Sequence, residues 1–110
     1  MHAPDFSHAL VPKQKICGYL LRTDHAEGAS KARFFLSRGF SERNWEQLAE
    51  ALRGQAMADV NCEVIGGRFG TKYVVEAPIG CPDGSIPMIR SVWIASDGSE
   101  NLRLVTAHPL

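Results

Sequence analysis

Cysteine is scarce and its pattern is unpaired: Cys17, Cys62 and Cys81 are odd in number, with no CxxC pair and no short Cys/His spacing. Neither a disulfide framework nor a structural zinc is expected. No stretch approaches the roughly 18 consecutive apolar residues of a membrane span, and the opening Met1-His-Ala-Pro-Asp-Phe-Ser-His8 has neither a basic nor an apolar leader region. The expectation is a reduced, cytoplasmic protein with no membrane partner. Charge of one sign is also missing. With 12 basic and 12 acidic side chains the formal net charge is +0, which argues against nucleic-acid binding by bulk electrostatics and leaves only a local basic patch for that purpose. There is no GxxxxGK[ST] loop, no GxGxxG after a strand, no HExxH and no GxSxG, so P-loop hydrolysis, Rossmann chemistry, zincin proteolysis and serine-hydrolase chemistry lack their signatures. Paired carboxylates at metal-site spacing are absent too, so no metal and no cofactor is expected. An enzyme of this composition would work with His, Lys, Arg and Thr.

What is present fits one domain. A chain of 110 residues leaves no room for a second core. Residues 1–12, with Pro4, Pro12 and few periodic apolar positions, predict a flexible N-terminal arm, and residues 13–110 a single α+β domain. The run KQKICGYLLR from Lys13 is compatible with a short helix or a strand; Ile16, Tyr19 and Leu20 fit a helical stripe, which favours the helix although Gly18 weakens it. ASKARFFLSRG carries Ala32, Phe35 and Leu36 at helical spacing, with Gly39 where a left-handed cap belongs. Ser41 then stands as an N-cap, and Trp45, Leu48, Ala49 and Leu52 recur at i, i+3, i+4 and i+7, predicting a helix that ends near Arg53-Gly54. Beyond it the period drops to two. Four strands joined by glycine-rich turns follow: around Val60–Val64, TKYVVEAP, MIRSVWIAS and LRLVTA. Such short connections exclude a doubly wound parallel sheet. The expected fold is α+β, two to three N-terminal helices packed on a four-stranded antiparallel sheet whose other face is free for solvent or a ligand.

Four groups could carry chemistry. His25 in a turn precedes Lys31 on a helix; an imidazole can serve as base or acid at neutral pH, and an ammonium can stabilise a developing phosphorane charge. Equally, a histidine before a helix can be a cap or a solvated loop residue. Arg90 and Arg103, in the last two strands, suit bidentate phosphate binding or merely edge-strand charge. Thr106 and His108 stand at i and i+2, on the same side of an extended strand, yet Leu102 and Leu104 share that parity and would turn the face into core. Trp93 and Tyr73 either stack on bases or fill the core.

The runs Lys15-Ile-Cys-Gly-Tyr-Leu-Leu21, His25-x-x-Gly28-x-x-Lys31-Ala-x-Phe-Phe35, Gly39-Phe40, Ser91-Val-Trp93 and Arg103-Leu-Val-Thr-Ala-His-Pro109 resemble an uncharacterised family of small bacterial domains. Members of that family are similar to the barnase, EndoU, colicin and RelE superfamily of metal-independent ribonucleases, common among polymorphic toxins and toxin–antitoxin pairs. The resemblance implies helices ahead of a four-stranded antiparallel sheet. It also implies catalytic roles for His25, Lys31 and Thr106, phosphate-binding roles for Arg90 and Arg103, an RNA substrate, and a cognate antitoxin or immunity protein as partner. Where related chains usually carry Tyr in the LVTAYP segment, this one has His108, which could add an acid or hold RNA. The balanced charge departs from such ribonucleases.

Two readings from different classes follow. One is a toxin-like, metal-independent endoribonuclease using His25 as base or acid and Lys31 as charge stabiliser. The other is a non-enzymatic protein-interaction module, signalled by an apolar open sheet face. An antitoxin or immunity-like inhibitor would call for a distinctly acidic surface, which the balanced charge disfavours.

Overall fold

The computed structural model describes residues 9–22, 29–57, 62–68, 70–96 and 102–110. Helical elements come first. A short α1 (Lys13–Lys15) runs directly into a π turn (Ile16–Leu20), and α2 (Ala29–Ser37) and α3 (Trp45–Met57) follow. Four strands complete the order: β1 (Cys62–Gly67), β2 (Gly70–Pro78), β3 (Met88–Ser96) and β4 (Leu102–Pro109). The sheet is a pure antiparallel meander, β1-β2-β3-β4, as expected. This is the α+β architecture that the change of hydrophobic period predicts.

The first helical run is wider than an α-helix. Leu21 N–H donates to Ile16 O over 2.8 Å, an i→i+5 bond, in the stretch that Gly18 weakens. The wider turn lets Ile16, Leu20 and Leu21 all bury while Tyr19 stays half-buried at the rim. At the end of α2, Gly39 takes φ +102 and the chain closes a Schellman motif: Phe40 N–H reaches Phe35 O and Gly39 N–H reaches Leu36 O. The rings of Phe35 and Phe40 then meet edge-on at 6.1 Å, the hydrophobic contact that accompanies this cap.

Ser41 accepts from Asn44 N–H through its hydroxyl, in the turn that leads into α3. That helix does not stop at Arg53-Gly54; it continues to Met57, because Gln55 and Ala56 belong to the buried face. Gln55 Nε2 donates to the carbonyls of Ala77 and Ile89, and its Oε1 accepts from Ser91 Oγ, which in turn accepts from the Trp93 indole N–H. The Gln55 amide, the Ser91 hydroxyl and the Trp93 indole N–H thereby all have partners, the condition for a polar group inside a core to cost little. Trp93 is fully buried, so it is a core residue and not a base-stacking platform.

Residues 9–12, the last part of the expected arm, are seated on β4. Leu10 bridges Arg103 in parallel, Ala9 and Val11 are buried, and Arg53 Nε donates to Ala9 O. The core lies between the helices and one sheet face, built from Leu48 and Leu52 of α3, Phe35 of α2, and Val75, Ile89, Trp93 and Leu104 of the strands. Burying side chains of this size stabilises by about 1.5–3 kcal/mol each. The opposite sheet face is mixed: the row Glu76, Arg90 and His108 crosses it from β2 to β4, beside a row with Val74 and Val92.

Candidate active site

A β-bulge decides what β4 presents. Trp93 faces Leu104, but its neighbour Val92 faces Thr106, so Val105 is the extra residue. Leu102 and Leu104 before the bulge and Ala107 after it are buried. The parity that would have placed Thr106 and His108 with the leucines is broken, and both are released from the core-facing set. This corrects the strict alternation expected from spacing alone.

Thr106 is thereby brought to two helical residues. Lys31 Nζ, on the first turns of α2, donates to Tyr19 OH at 2.6 Å and to Thr106 Oγ1 at 3.1 Å, and the two oxygens lie 3.4 Å apart. The three elements meet because Ala32 and Phe35 anchor α2 in the core while Lys31, one turn before Phe35, stands half-buried at the edge of the same helix face. Lys31 Nζ also stands 5.0 Å from the Tyr19 ring centroid, and Lys15 Nζ stands 5.3 Å from it. Burial by itself pushes the Tyr19 phenol up. The hydrogen bonds from Lys31 and Thr106 and the charges of Lys31 and Lys15 outweigh it, so the phenol titrates below its ordinary value.

The triangle separates two open depressions. One, of about 500 Å³, is lined by Ser30, Lys31, His108 and Pro109. The other, of about 370 Å³, includes Gln14, Lys15, Tyr19 and Arg103. Lys31, Thr106 and His108 are thus gathered at one end of β4. Arg103 stands apart from them beyond Tyr19, and Arg90 lies on the open sheet face, its Nη2 bonded to Glu76 Oε1 at 3.1 Å and its backbone paired with His108. An exchange of partner from Glu76 to phosphate would be needed for Arg90 to act as a clamp. His25 lies outside the described residues. Among the described residues no cluster of three His, Cys, Asp or Glu could hold a metal ion, and the donors of the site are an amine, a phenol and a hydroxyl.

Tyr19 is the residue that spacing alone missed. In the sequence it reads as one more apolar position beside Ile16 and Leu20; the signal available was a cation four residues before it, Lys15, in an otherwise apolar run.

The model of DUF6883, a domain of unknown function, matches residues 2–110. The chain belongs to that family. No curated protein matches. Among solved structures, a chain of the contact-dependent growth inhibition toxin–immunity protein complex from Klebsiella pneumoniae 342 is similar to this DUF6883 domain, with a TM-score of 0.73 and 16% identity over 93% of this chain and 100% of that one. At that identity the likeness shows a shared fold. A helices-then-meander fold is thus present in a toxin–immunity protein complex. Among the described residues no helix is long and apolar enough to cross a membrane.

Proposed function

We propose that this DUF6883 domain is a metal-independent endoribonuclease of the toxin type, partnered by a cognate immunity protein or antitoxin. One observation carries the reading: Lys31 Nζ within hydrogen-bond distance of both Tyr19 OH and Thr106 Oγ1, with His108 lining the same depression. Cleavage of RNA by its own 2′-hydroxyl forms a bond from the 2′-oxygen to phosphorus and breaks the bond to the 5′-oxygen. A base takes the 2′-proton and an acid returns one to the leaving oxygen. Lys31 supplies the fixed positive charge for the equatorial oxygens of the phosphorane, oriented by Tyr19 and Thr106. Tyr19, whose phenolate is favoured by two cations, and His108, on the β4 side, are the proton carriers of the described site. His25 keeps the role of base or acid that its place before Lys31 gives it.

The fold likeness to a chain of a toxin–immunity complex supports the toxin-type reading and the expectation of an immunity partner. The interaction-module reading draws on β1, an edge strand with Val64 and Ile65 47% and 45% exposed, where another protein could pair. RNA cleavage separates them. Mixed-sequence RNA is incubated in excess chelator with wild type, Lys31→Ala, Tyr19→Phe and His25→Ala, each checked for folding by circular dichroism. Wild type should yield cyclic 2′,3′-phosphate ends, and folded Lys31→Ala should be slower by about a hundredfold or more. Absence of cleavage by wild type, or equal cleavage by all four, would overturn the ribonuclease and favour the interaction module.

A further inference from the structure

The zero net charge of this chain is an average over segregated regions. Lys15 and Arg103 line the depression on one side of the Tyr19–Lys31–Thr106 triangle, and Lys31 and His108 line the depression on the other. Among the described residues lining either, none is a carboxylate. A third depression, by contrast, is lined by Glu63 and Glu76 together with Cys62 and Val74. Two arginines elsewhere are engaged by carboxylates: Arg90 by Glu76 and Arg53 by Glu50. Lys15 and Arg103 have no carboxylate partner among the described residues, which leaves both cations available to an anion.

We infer that this groove binds a single-stranded polyribonucleotide that continues past the scissile phosphate in both directions, with Lys15 and Arg103 forming a phosphate subsite beyond Tyr19. The inference rests on the ribonuclease reading and names its substrate class. Arg103 and His108 pair with Ile94 and Arg90, four residues apart on β3, a span of roughly 13 Å at a strand's rise of about 3.3 Å per residue, longer than one nucleotide. The two positions are therefore too far apart to share a single phosphate, as a mononucleotide would require. Leu10 holds that end of β4 in place: its N–H donates to Leu102 O and its carbonyl accepts from Leu104 N–H, while the Arg103 side chain remains exposed. The chemistry itself excludes a duplex. In-line attack needs the 2′-oxygen, phosphorus and 5′-oxygen in a row, a backbone rotation that a base-paired A-form strand resists and a single strand permits.

The test separates binding from cleavage. A 12-nucleotide strand, fully 2′-O-methylated so that it cannot react, is titrated by fluorescence anisotropy against wild type, Arg103→Ala and a control, Arg43→Ala, on the exposed turn before α3. The unmodified 12-mer is used for kinetics. Arg103→Ala should bind about three- to tenfold more weakly, with a salt slope shallower by about 0.7, and raise KM with kcat retained. A base-paired form of the same strand should bind more weakly than the single strand. Equal affinities for Arg103→Ala and Arg43→Ala, or a duplex bound as tightly as the single strand, overturn the inference even if RNA is cleaved. Binding that depends on Arg103 without any RNA cleavage would leave the groove standing and remove the ribonuclease.

Discussion

The ammonium of Lys31 donates to the phenol oxygen of Tyr19 across 2.6 Å, joining the first turn of α2 to the π turn that precedes it. That bond and the positive charge behind it hold the phenol below its ordinary pKa, against the upward push of burial. Replacing Lys31 with Met, a side chain of similar length, removes the donor and the charge while the burial remains. The phenol should then titrate at higher pH than in wild type. Phenolate absorbance in a Tyr73→Phe background isolates Tyr19 and reads the shift directly; an unmoved curve would show that Lys31 does not govern this group.

The layout was legible where it depends on local pattern. Helices give way to strands where the apolar spacing drops from 3.6 to 2, and Gly39 marks the end of α2 because a positive φ, with Pro82 so near that a Cβ would overlap it, leaves little choice of residue. Gly54 misled, because a helix is expected to end at an exposed glycine. The reason to continue, the burial of Gln55, is a tertiary fact that a polar letter hides. The site was legible in part. Lys31 stood out through its spacing from His25, and Thr106 through its place in the last strand. Their meeting depends on the bulge at Val105, which is a matter of register against β3 and leaves no mark in β4 itself.

Gln55 and Trp93 are linked through Ser91 in the closed part of the core, where a lost partner cannot be replaced by bulk water. Ser91→Ala removes at once the acceptor of the indole N–H and the donor to Gln55 Oε1. The expected cost is about 1–3 kcal/mol, with a fall in Tm of about 4–8 °C for each kcal/mol in a domain of this size. Thermal unfolding followed by circular dichroism measures it. A variant within 1 °C of wild type would mean that the chain of hydrogen bonds adds nothing to stability.

Acid should weaken the loop between β2 and β3. The Ser85 hydroxyl and backbone N–H both donate to Asp83 Oδ1, at 2.5 and 2.9 Å, and with the charge of Arg38 they hold this carboxyl below the usual range. A carboxyl depressed in the folded state stabilises fully above its unfolded pKa and ceases to do so as pH falls through its folded value. The gap between the denaturation midpoints of wild type and Asp83→Asn should therefore be constant near neutrality and close on the acid side. Asp83 is exposed, so the gap is small. A gap that widened in acid would reverse the assignment.

Two glycines make opposite forecasts from the same substitution. Gly54 lies inside α3 with φ in the ordinary range, and a Cβ built there meets nothing within 4 Å. Gly54→Ala therefore restricts the unfolded chain without disturbing the folded one and should stabilise by about 0.5–1 kcal/mol. At Gly39 the φ of +102 is one that L side chains rarely adopt, and a Cβ there would stand 2.8 Å from Pro82 Cβ, in a turn pinned by the bond from Asp83 N–H to Arg38 O. Gly39→Ala must therefore distort the cap of α2 or push the loop away, at about 1–3 kcal/mol. Urea denaturation of both variants beside wild type should place the three midpoints in the order Gly39→Ala, wild type, Gly54→Ala. A Gly39→Ala midpoint at or above wild type would contradict the left-handed cap, because no relaxed helix end at that position could keep Phe40 under Phe35.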